Sequence, residues 1–177
     1  MPIQRVALTG GPGTGKTSLI EELEAMGFSC AHEYSRHIIQ ESLQTGSDVV
    51  PWDNLDAFSA RVMEGRIQQF READGELYFF DRTIIDTIAY QKADNLPVKE
   101  EWHAAALELR YSPIVFITPP WEEIFHNDEE RKESMEKLNH LHEFLVKTYR
   151  EYDYNVIEVP KLGIADRAKW ILKQLEH

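Results

Sequence analysis

The stretch Gly10-Gly11-Pro12-Gly13-Thr14-Gly15-Lys16-Thr17 decides the fold, because it fills every position of the phosphate-binding loop pattern GxxxxGK followed by Ser or Thr. A short apolar run from Ile3 to Leu8 precedes it and has the composition of a strand. After it, apolar residues recur at helical spacing at Leu19, Ile20, Leu23 and Met26. Strand, glycine-rich turn and helix form the context in which this loop holds nucleotide phosphates, and a glycine turn with a chance lysine is the weaker interpretation.

The residue types in this loop fit phosphate binding. Glycines let the backbone wrap closely around phosphates, so that amide groups and the helix N-terminus supply positive potential. Lys16 is expected to reach the β- and γ-phosphates, and the Thr17 hydroxyl is an oxygen ligand suited to Mg²⁺. The sequence predicts that the nucleotide is bound by Gly11, Gly13, Thr14, Gly15, Lys16, Thr17 and Ser18.

Short apolar runs alternate with longer amphipathic patterns along the chain, which is typical of an α/β fold with a parallel sheet covered by helices. Two segments repeat apolar residues at helical spacing, one from Leu55 to Phe70 and one from Leu138 to Tyr152. A length of 177 residues suits one domain, so we predict a single unit over residues 1–177. The candidate strands span residues 3–9, 28–32, 77–80, 114–117 and 155–159.

Composition argues against several classes of function. Asp and Glu outnumber Lys and Arg by 31 to 19, and the resulting net charge of −12 would repel nucleic acid. No apolar segment approaches the length of a membrane span, so no membrane insertion is expected. Cys30 is the only cysteine, which fits a reducing compartment. We therefore expect a cytoplasmic protein without a nucleic-acid partner.

The run Leu77-Tyr78-Phe79-Phe80-Asp81-Arg82 is an apolar strand that ends in an aspartate, at the edge where open α/β sheets bind ligands. Asp81 is a Walker B candidate that can hold Mg²⁺ near the phosphates, directly or through water. Arg82 stands where hydrolytic motor ATPases usually place a glutamate. Because arginine suits recognition of a phosphate or a substrate, this residue favours group transfer over hydrolysis. The alternative is that Asp81 caps a helix expected to begin near Thr83.

Glu33 follows the second candidate strand, so its carboxylate should lie at the same edge of the sheet as Asp81. Such a carboxylate can accept or orient the hydroxyl of a phosphoryl acceptor. An ordinary ion pair between Glu33 and Arg36 on a solvated helix is the alternative. Asp86 lies four residues after Arg82 and could fix its guanidinium, or could simply face solvent. The predicted substrate-binding residues are thus Glu33, Arg36, Arg82 and Asp86.

The segment Asn127-Asp128-Glu129-Glu130-Arg131-Lys132 is too charged for a core, and it lies between the fourth strand and a long helix. It is placed to act as a lid, in which Arg131 stabilises charge on a transferred phosphoryl group while closure excludes water. A charged helix start is the alternative, and Lys132 is a weaker candidate for the same role. The predicted catalytic residues are Lys16, Glu33, Asp81 and Arg131.

Taken together, five stretches of the chain resemble an AAA-type family of P-loop ATPases and kinases related to the nicotinamide riboside kinase domains of bacterial NAD-biosynthesis regulators. They are LTGGPGTGKTSLIEEL, HEYSRHII, FFDRTIIDTIAY, NDEERKE and YREYDYNVIEVP. The Asp-Arg pair also resembles deoxynucleoside and thymidylate kinases. The resemblance implies a nucleotide-kinase-like fold with a five-stranded parallel sheet and an internal lid. It also implies ATP and Mg²⁺ as ligands, and a path near the adenine for residues 160–167.

Two functions from different classes remain open. In the first, the protein is a small-molecule kinase that transfers the ATP γ-phosphoryl group to a hydroxyl of a nucleoside- or riboside-like acceptor. In the second, nucleotide binding and slow hydrolysis order the lid and control a surface for a protein partner. The sequence has no NKxD guanine motif, which argues against an ordinary GTPase. The kinase is the favoured hypothesis.

Overall fold

A computed structural model describes residues 3–122 and 135–176, which contain five strands and seven helices. The strands are β1 (Gln4–Thr9), β2 (Ser29–Ala31), β3 (Leu77–Asp81), β4 (Ile114–Ile117) and β5 (Asn155–Glu158). The helices are α1 (Lys16–Ala25), α2 (Tyr34–Thr45), α3 (Leu55–Glu72), α4 (Ile84–Ala93), α5 (Glu100–Glu108), α6 (Met135–Glu151) and α7 (Ile164–Leu175).

The strands form one parallel sheet in the order β2-β3-β1-β4-β5. All five predicted strands are present, each with bounds that differ by no more than one residue from those expected. The segment predicted to be helical from Leu55 to Phe70 lies in α3. The segment predicted from Leu138 to Tyr152 corresponds to α6. The predicted α/β fold with a five-stranded parallel sheet flanked by helices is therefore confirmed.

Each face of the sheet is covered by its own set of helices, because side chains alternate between the two faces along a strand. Val6 and Leu8 of β1 face a core built with apolar residues of α1 and α7, including Leu19, Ile20, Leu23, Ala168 and Ile171. Ala7, between them, faces the opposite core, which α3, α4, α5 and α6 supply with residues such as Phe70, Ile85, Trp102 and Tyr149. Since both faces are buried, a ligand site must lie at an edge of the sheet.

The carboxyl edge of the sheet is tied together around β1, which lies between β3 and β4. The amide of Arg82 donates to the carbonyl of Leu8 at 2.9 Å, and the amide of Thr118 donates to the carbonyl of Thr9 at 2.9 Å. The strand order reverses at β1, and such a switch point is where open α/β sheets bind ligands. The chain leaves β1 directly into the glycine-rich loop.

Helices α5 and α7 were not among the helices predicted from the sequence. In α5 only Trp102 and Ala106 are buried, so its apolar pattern is too sparse to reveal a helix. The stretch around Pro51 and Trp52, between α2 and α3, contains neither helix nor strand. Among the described residues, no helix has both the length and the apolar character needed to cross a membrane.

Candidate functional site

The loop between β1 and α1 has the strained backbone that its glycines permit. Gly13 and Gly15 have φ angles of 69° and 85°, in the left-handed region that disfavours other residues. Gly11 lies against α6, where an added Cβ atom would come within 2.1 Å of the Leu138 Cδ1 atom. The loop is therefore held in close contact with the helix that follows the undescribed residues 123–134.

Lys16 is the first residue of α1 and is 4% exposed. Its Nζ atom donates to the carbonyl of Gly11 at 2.7 Å, and the Thr14 hydroxyl donates to the same carbonyl at 2.8 Å. Thr17 and Ser18 follow in the first helical turn, which contains no acidic residue. The N-terminus of α1 thus presents a lysine and the positive end of a helix dipole beside the loop, which is a suitable environment for phosphate.

Asp81 is the last residue of β3, next to β1 in the sheet, and is 3% exposed. Burial raises its pKa from 3.8 to about 6, with the charge of Glu33 as the second cause, while Lys16 and Arg82 act in the opposite direction. Among the described residues, its Oδ1 atom is buried without a hydrogen-bond partner. An unpaired carboxylate oxygen and the Thr17 hydroxyl are hard oxygen donors, so this edge fits Mg²⁺.

Arg82 is fully buried and has a positive φ angle of 69°. Its Nε atom lies 3.1 Å from Glu33 Oε1, and its Nη1 atom donates to the Tyr90 hydroxyl. Burial alone would lower the Arg82 pKa, but Tyr90 and the carboxylates around it hold that pKa above its ordinary value. Its Nη2 atom is buried without a hydrogen-bond partner within the described residues. The site therefore contains a permanent cation with unused donor capacity.

Glu33 occupies the position just before α2, and its side chain is 6% exposed. The Ser35 hydroxyl donates to Oε1, which also faces Arg82, while Arg36 Nε lies 3.7 Å from Oε2. The pair of Glu33 and Arg36 thus exists, but burial and the second arginine exclude the interpretation as an ordinary solvated pair. The structure brings Glu33, Asp81 and Arg82 together at one edge of the sheet.

Both predictions for Asp86 are wrong. It does not form an ion pair with Arg82, and it does not face solvent. Asp86 is fully buried in a capping box at the start of α4, where its Oδ2 atom accepts from the Thr83 amide at 2.8 Å. The Tyr149 hydroxyl of α6 donates to Oδ2, and the Thr9 hydroxyl of β1 donates to Oδ1. Both carboxylate oxygens therefore serve the scaffold. The same box shows that Thr83, rather than Asp81, caps α4.

A cavity of about 230 Å³ lies beside this edge, between α2, α3 and α4. Glu33 and Arg82 line it together with Pro12 of the glycine-rich loop. Its remaining walls are mostly apolar or aromatic, and include Ile39, Leu55, Phe58, Val62 and Tyr90. A concave, largely apolar space with a few convergent polar groups is the usual form of a small-molecule site.

Several polar residues of this cavity were not predicted from the sequence, among them Arg66 and Gln91. Arg66 of α3 is 4% exposed and donates to the Thr83 carbonyl and to the Thr87 hydroxyl, at 3.1 and 2.7 Å. Gln91 of α4 is 6% exposed and donates to the Ser59 hydroxyl at 2.8 Å. A signal for Arg66 was available, because it lies four residues after Val62 and four before Phe70, on the buried face of α3.

Arg131 and Lys132 lie outside the described residues, and so does the rest of the predicted lid segment. The segment expected near the adenine ends at Arg167, which is 4% exposed. Its guanidinium lies over the Trp121 ring, 5.7 Å from the centroid, and Nη1 donates to the Thr14 carbonyl at 3.5 Å. The start of α7 is therefore in contact with the glycine-rich loop.

The fold and the loop define a P-loop protein of the nucleotide-kinase type. The sequence matches the AAA domain family over residues 5–167, and the chain belongs to that family. The predicted membership in an AAA-type P-loop family is thus confirmed. No curated protein is detectably similar in sequence.

Solved structures with this fold include several kinases. The chain is similar to deoxyadenosine kinase from M. mycoides with dCMP and dCDP bound, with a TM-score of 0.68, 14% identity and coverage of 97% of this chain and 98% of that one. It resembles NadR in complex with NR, with a TM-score of 0.70, 20% identity and coverage of 97% and 51%. A third neighbour is thymidylate kinase from Ehrlichia chaffeensis, with a TM-score of 0.64, 17% identity and coverage of 99% and 100%. At these identities the likeness establishes the fold.

Proposed function

We propose that the protein is a small-molecule kinase, which transfers the γ-phosphoryl group of ATP to a hydroxyl of a nucleoside- or riboside-like acceptor. The observation that carries the proposal is the contact of Glu33 with Arg82 in the lining of a cavity that Pro12 of the glycine-rich loop also lines. An acceptor in this cavity would lie next to the phosphates. The kinases among the structural neighbours support the same class of reaction.

In the proposed reaction, the acceptor hydroxyl oxygen forms a bond to the γ-phosphorus. The bond from that phosphorus to the bridging oxygen breaks, and ADP leaves with the electron pair. Glu33 orients the hydroxyl and accepts its proton, which then passes to solvent. Arg82 remains charged when buried, so it is suited to hold the acceptor or the transferred group.

Lys16 and the loop amides hold the phosphates, and Thr17 and Asp81 would hold Mg²⁺. When bound, this ion supplies charge that offsets the negative charge of the phosphate oxygens. Because magnesium binding needs the ionised carboxylate, a pKa of about 6 for Asp81 predicts that Mg²⁺ binds more weakly below pH 6. Arg131 is proposed to close over the phosphates. If it does, Arg131→Ala should slow the chemical step and leave ATP affinity unchanged.

The experiment is ADP release from Mg-ATP by the purified protein, alone and with a panel of nucleosides, nucleotides and ribosides that includes nicotinamide riboside. We expect one class of acceptor to stimulate release and to appear in a phosphorylated form. Lys16→Ala should abolish nucleotide binding and the stimulated rate together. The exposed Lys173→Ala, near the end of α7, serves as the matched control and should change neither.

Two results would overturn the proposal. If Lys16→Ala retains nucleotide affinity and turnover, the phosphate-loop assignment fails. If no acceptor stimulates the wild-type protein above a slow basal hydrolysis while nucleotide binds tightly, the protein is not a kinase of these compounds, and the nucleotide-dependent switch with a protein partner becomes the better hypothesis.

A further inference from the structure

The cavity extends well beyond the edge where Glu33 and Arg82 lie. Gln91 also lines it, and this residue is seven positions after Ile84, the first residue of α4. At a rise of 1.5 Å per residue, Gln91 lies about 10 Å along the helix from the sheet edge. The cavity therefore has room for an acceptor with a reacting end at the edge and a second, non-reacting end near Gln91.

Helices α3 and α4 face each other across two polar contacts at this wall. Arg66 donates to the Thr87 hydroxyl at 2.7 Å, and Gln91 donates to the Ser59 hydroxyl at 2.8 Å. All four residues are buried and all four line the cavity. Burying these four polar side chains has a desolvation cost. Apolar side chains would pack the two helices together without that cost. Their position on the cavity wall points to recognition of a ligand.

Gln91 presents a specific hydrogen-bonding pattern to the cavity. The bond to Ser59 fixes the amide plane and uses one of the two N–H groups on Nε2. The carbonyl oxygen and the second N–H remain available to a ligand. A glutamine amide of this kind pairs with a ring edge that carries an adjacent donor and acceptor, as it does with adenine in nucleic-acid recognition. The rings of Phe58 and Tyr90 line the same cavity and suit a planar group.

The charges of the cavity argue against a phosphorylated acceptor. Its described lining contains two arginines, Arg66 and Arg82, and two carboxylates, Glu33 and Asp94. Arg82 is paired with Glu33, and Arg66 donates to Thr83 and Thr87. A phosphate on the acceptor would add about −1.5 to −2 charges without an excess of cations to balance them.

We propose that the acceptor is an unphosphorylated nucleoside whose ring carries a hydrogen-bond donor beside an acceptor, and that Gln91, held by Ser59, binds this edge. The inference rests on the proposed kinase function and assigns Gln91 as the residue that determines acceptor specificity. A heteroaromatic carboxamide, an adenine and a cytosine all present such an edge.

The test uses matched acceptors that differ at this edge. Adenosine is compared with purine riboside, which lacks the exocyclic amino group, and nicotinamide riboside with nicotinic acid riboside, in which a carboxylate replaces the amide. AMP and CMP probe the exclusion of phosphate. Each is assayed by acceptor-stimulated ADP release, with KM and kcat determined separately.

For the preferred pair, we expect the wild-type protein to favour the acceptor with the donor–acceptor edge by about 5- to 150-fold in kcat/KM. Gln91→Leu should remove this preference mainly through a higher KM. Ser59→Ala leaves the amide in place but unfixed, and should reduce the preference by a smaller factor. Gln68→Leu, at an exposed position of α3, is the matched control and should keep the wild-type preference. Unchanged ATP affinity verifies that each variant is folded.

The possible results distinguish a failure of the role inferred for Gln91 from a failure of the proposed kinase function. If Gln91→Leu and Ser59→Ala both discriminate as the wild type does, or if AMP or CMP is the best acceptor, the inference is wrong and the kinase function stands. If no compound stimulates ADP release by the wild-type protein, the proposed function fails and the inference fails with it.

Discussion

Replacement of Asp81 by asparagine should stabilise the ligand-free protein at neutral pH, although it removes the carboxylate proposed to hold Mg²⁺. Burial, with the charge of Glu33 as the second cause, raises the Asp81 pKa from 3.8 to about 6. The folded state therefore binds this proton more tightly than the unfolded state. Stability from this group is complete below pH 3.8 and is lost as the pH rises through about 6. Asparagine is uncharged and avoids that loss.

The size of the effect follows from the two pKa values. A displacement from 3.8 to about 6 corresponds to about 3 kcal/mol, at about 1.4 kcal/mol for each pKa unit. For a chain of this length, that free energy raises the melting temperature by about 6–12 °C. The difference between Asp81→Asn and the wild type should reach its full value by pH 8 and fall below about 1 kcal/mol near pH 4.

Urea denaturation followed by circular dichroism, without nucleotide or Mg²⁺, measures this difference at each pH. Titrating groups distant from Asp81 contribute equally in both proteins and cancel in the comparison, whereas Glu33 interacts with Asp81 and contributes to the difference. Asp53→Asn is the matched control, since Asp53 is exposed and its replacement should leave stability unchanged at every pH. A lower stability of Asp81→Asn than of the wild type at pH 8, or an equal difference at pH 4 and pH 8, would show that the Asp81 charge does not destabilise the folded state.

Three further substitutions test other parts of the site. Glu33→Gln should lower acceptor-stimulated turnover by about 10²- to 10⁴-fold and keep Mg-ATP affinity, and an unchanged kcat would make Glu33 a structural residue. Tyr149→Phe removes a buried hydrogen bond to Asp86 and should cost about 2 kcal/mol in urea denaturation; wild-type stability would contradict this. Gly10→Ala should cost at least about 2 kcal/mol in the same assay, because the added Cβ would lie 2.6 Å from the Thr118 carbonyl oxygen, and a neutral result would show that the loop can shift.

The sheet could be predicted from the sequence because its strands are buried on both faces and read as short apolar runs between polar segments. The loop after β1 and the aspartate at the end of β3 could be placed for the same reason, since parallel strands present their carboxyl ends at one edge. Helix α5 escaped prediction because only Trp102 and Ala106 of its residues are buried. A helix or strand is thus easier to predict from the sequence when it buries more apolar side chains.

The partners of polar side chains could not be predicted in the same way. Arg82 and Asp86 are four residues apart, and this spacing suggested an ion pair. In the structure Asp86 instead closes the first turn of its own helix and reaches β1 and α6, while Arg82 pairs with Glu33 from a different part of the chain. Contacts of this kind depend on which elements meet in the fold. The positions of Ser59 and Gln91 in the cavity wall also depend on which helices meet. In the sequence, nothing distinguishes these two residues from other polar residues of a helix.

The contacts of Asp86 have a consequence for nucleotide binding. One buried carboxylate joins Thr9 at the end of β1, Thr83 at the start of α4 and Tyr149 in α6. The turn that carries Asp81 and Arg82 is therefore already in place before a nucleotide arrives. The conformational entropy of this turn is lost when the protein folds. Nucleotide binding therefore loses no further conformational entropy in this turn. A preorganised edge of this kind lowers the ordering cost of nucleotide binding.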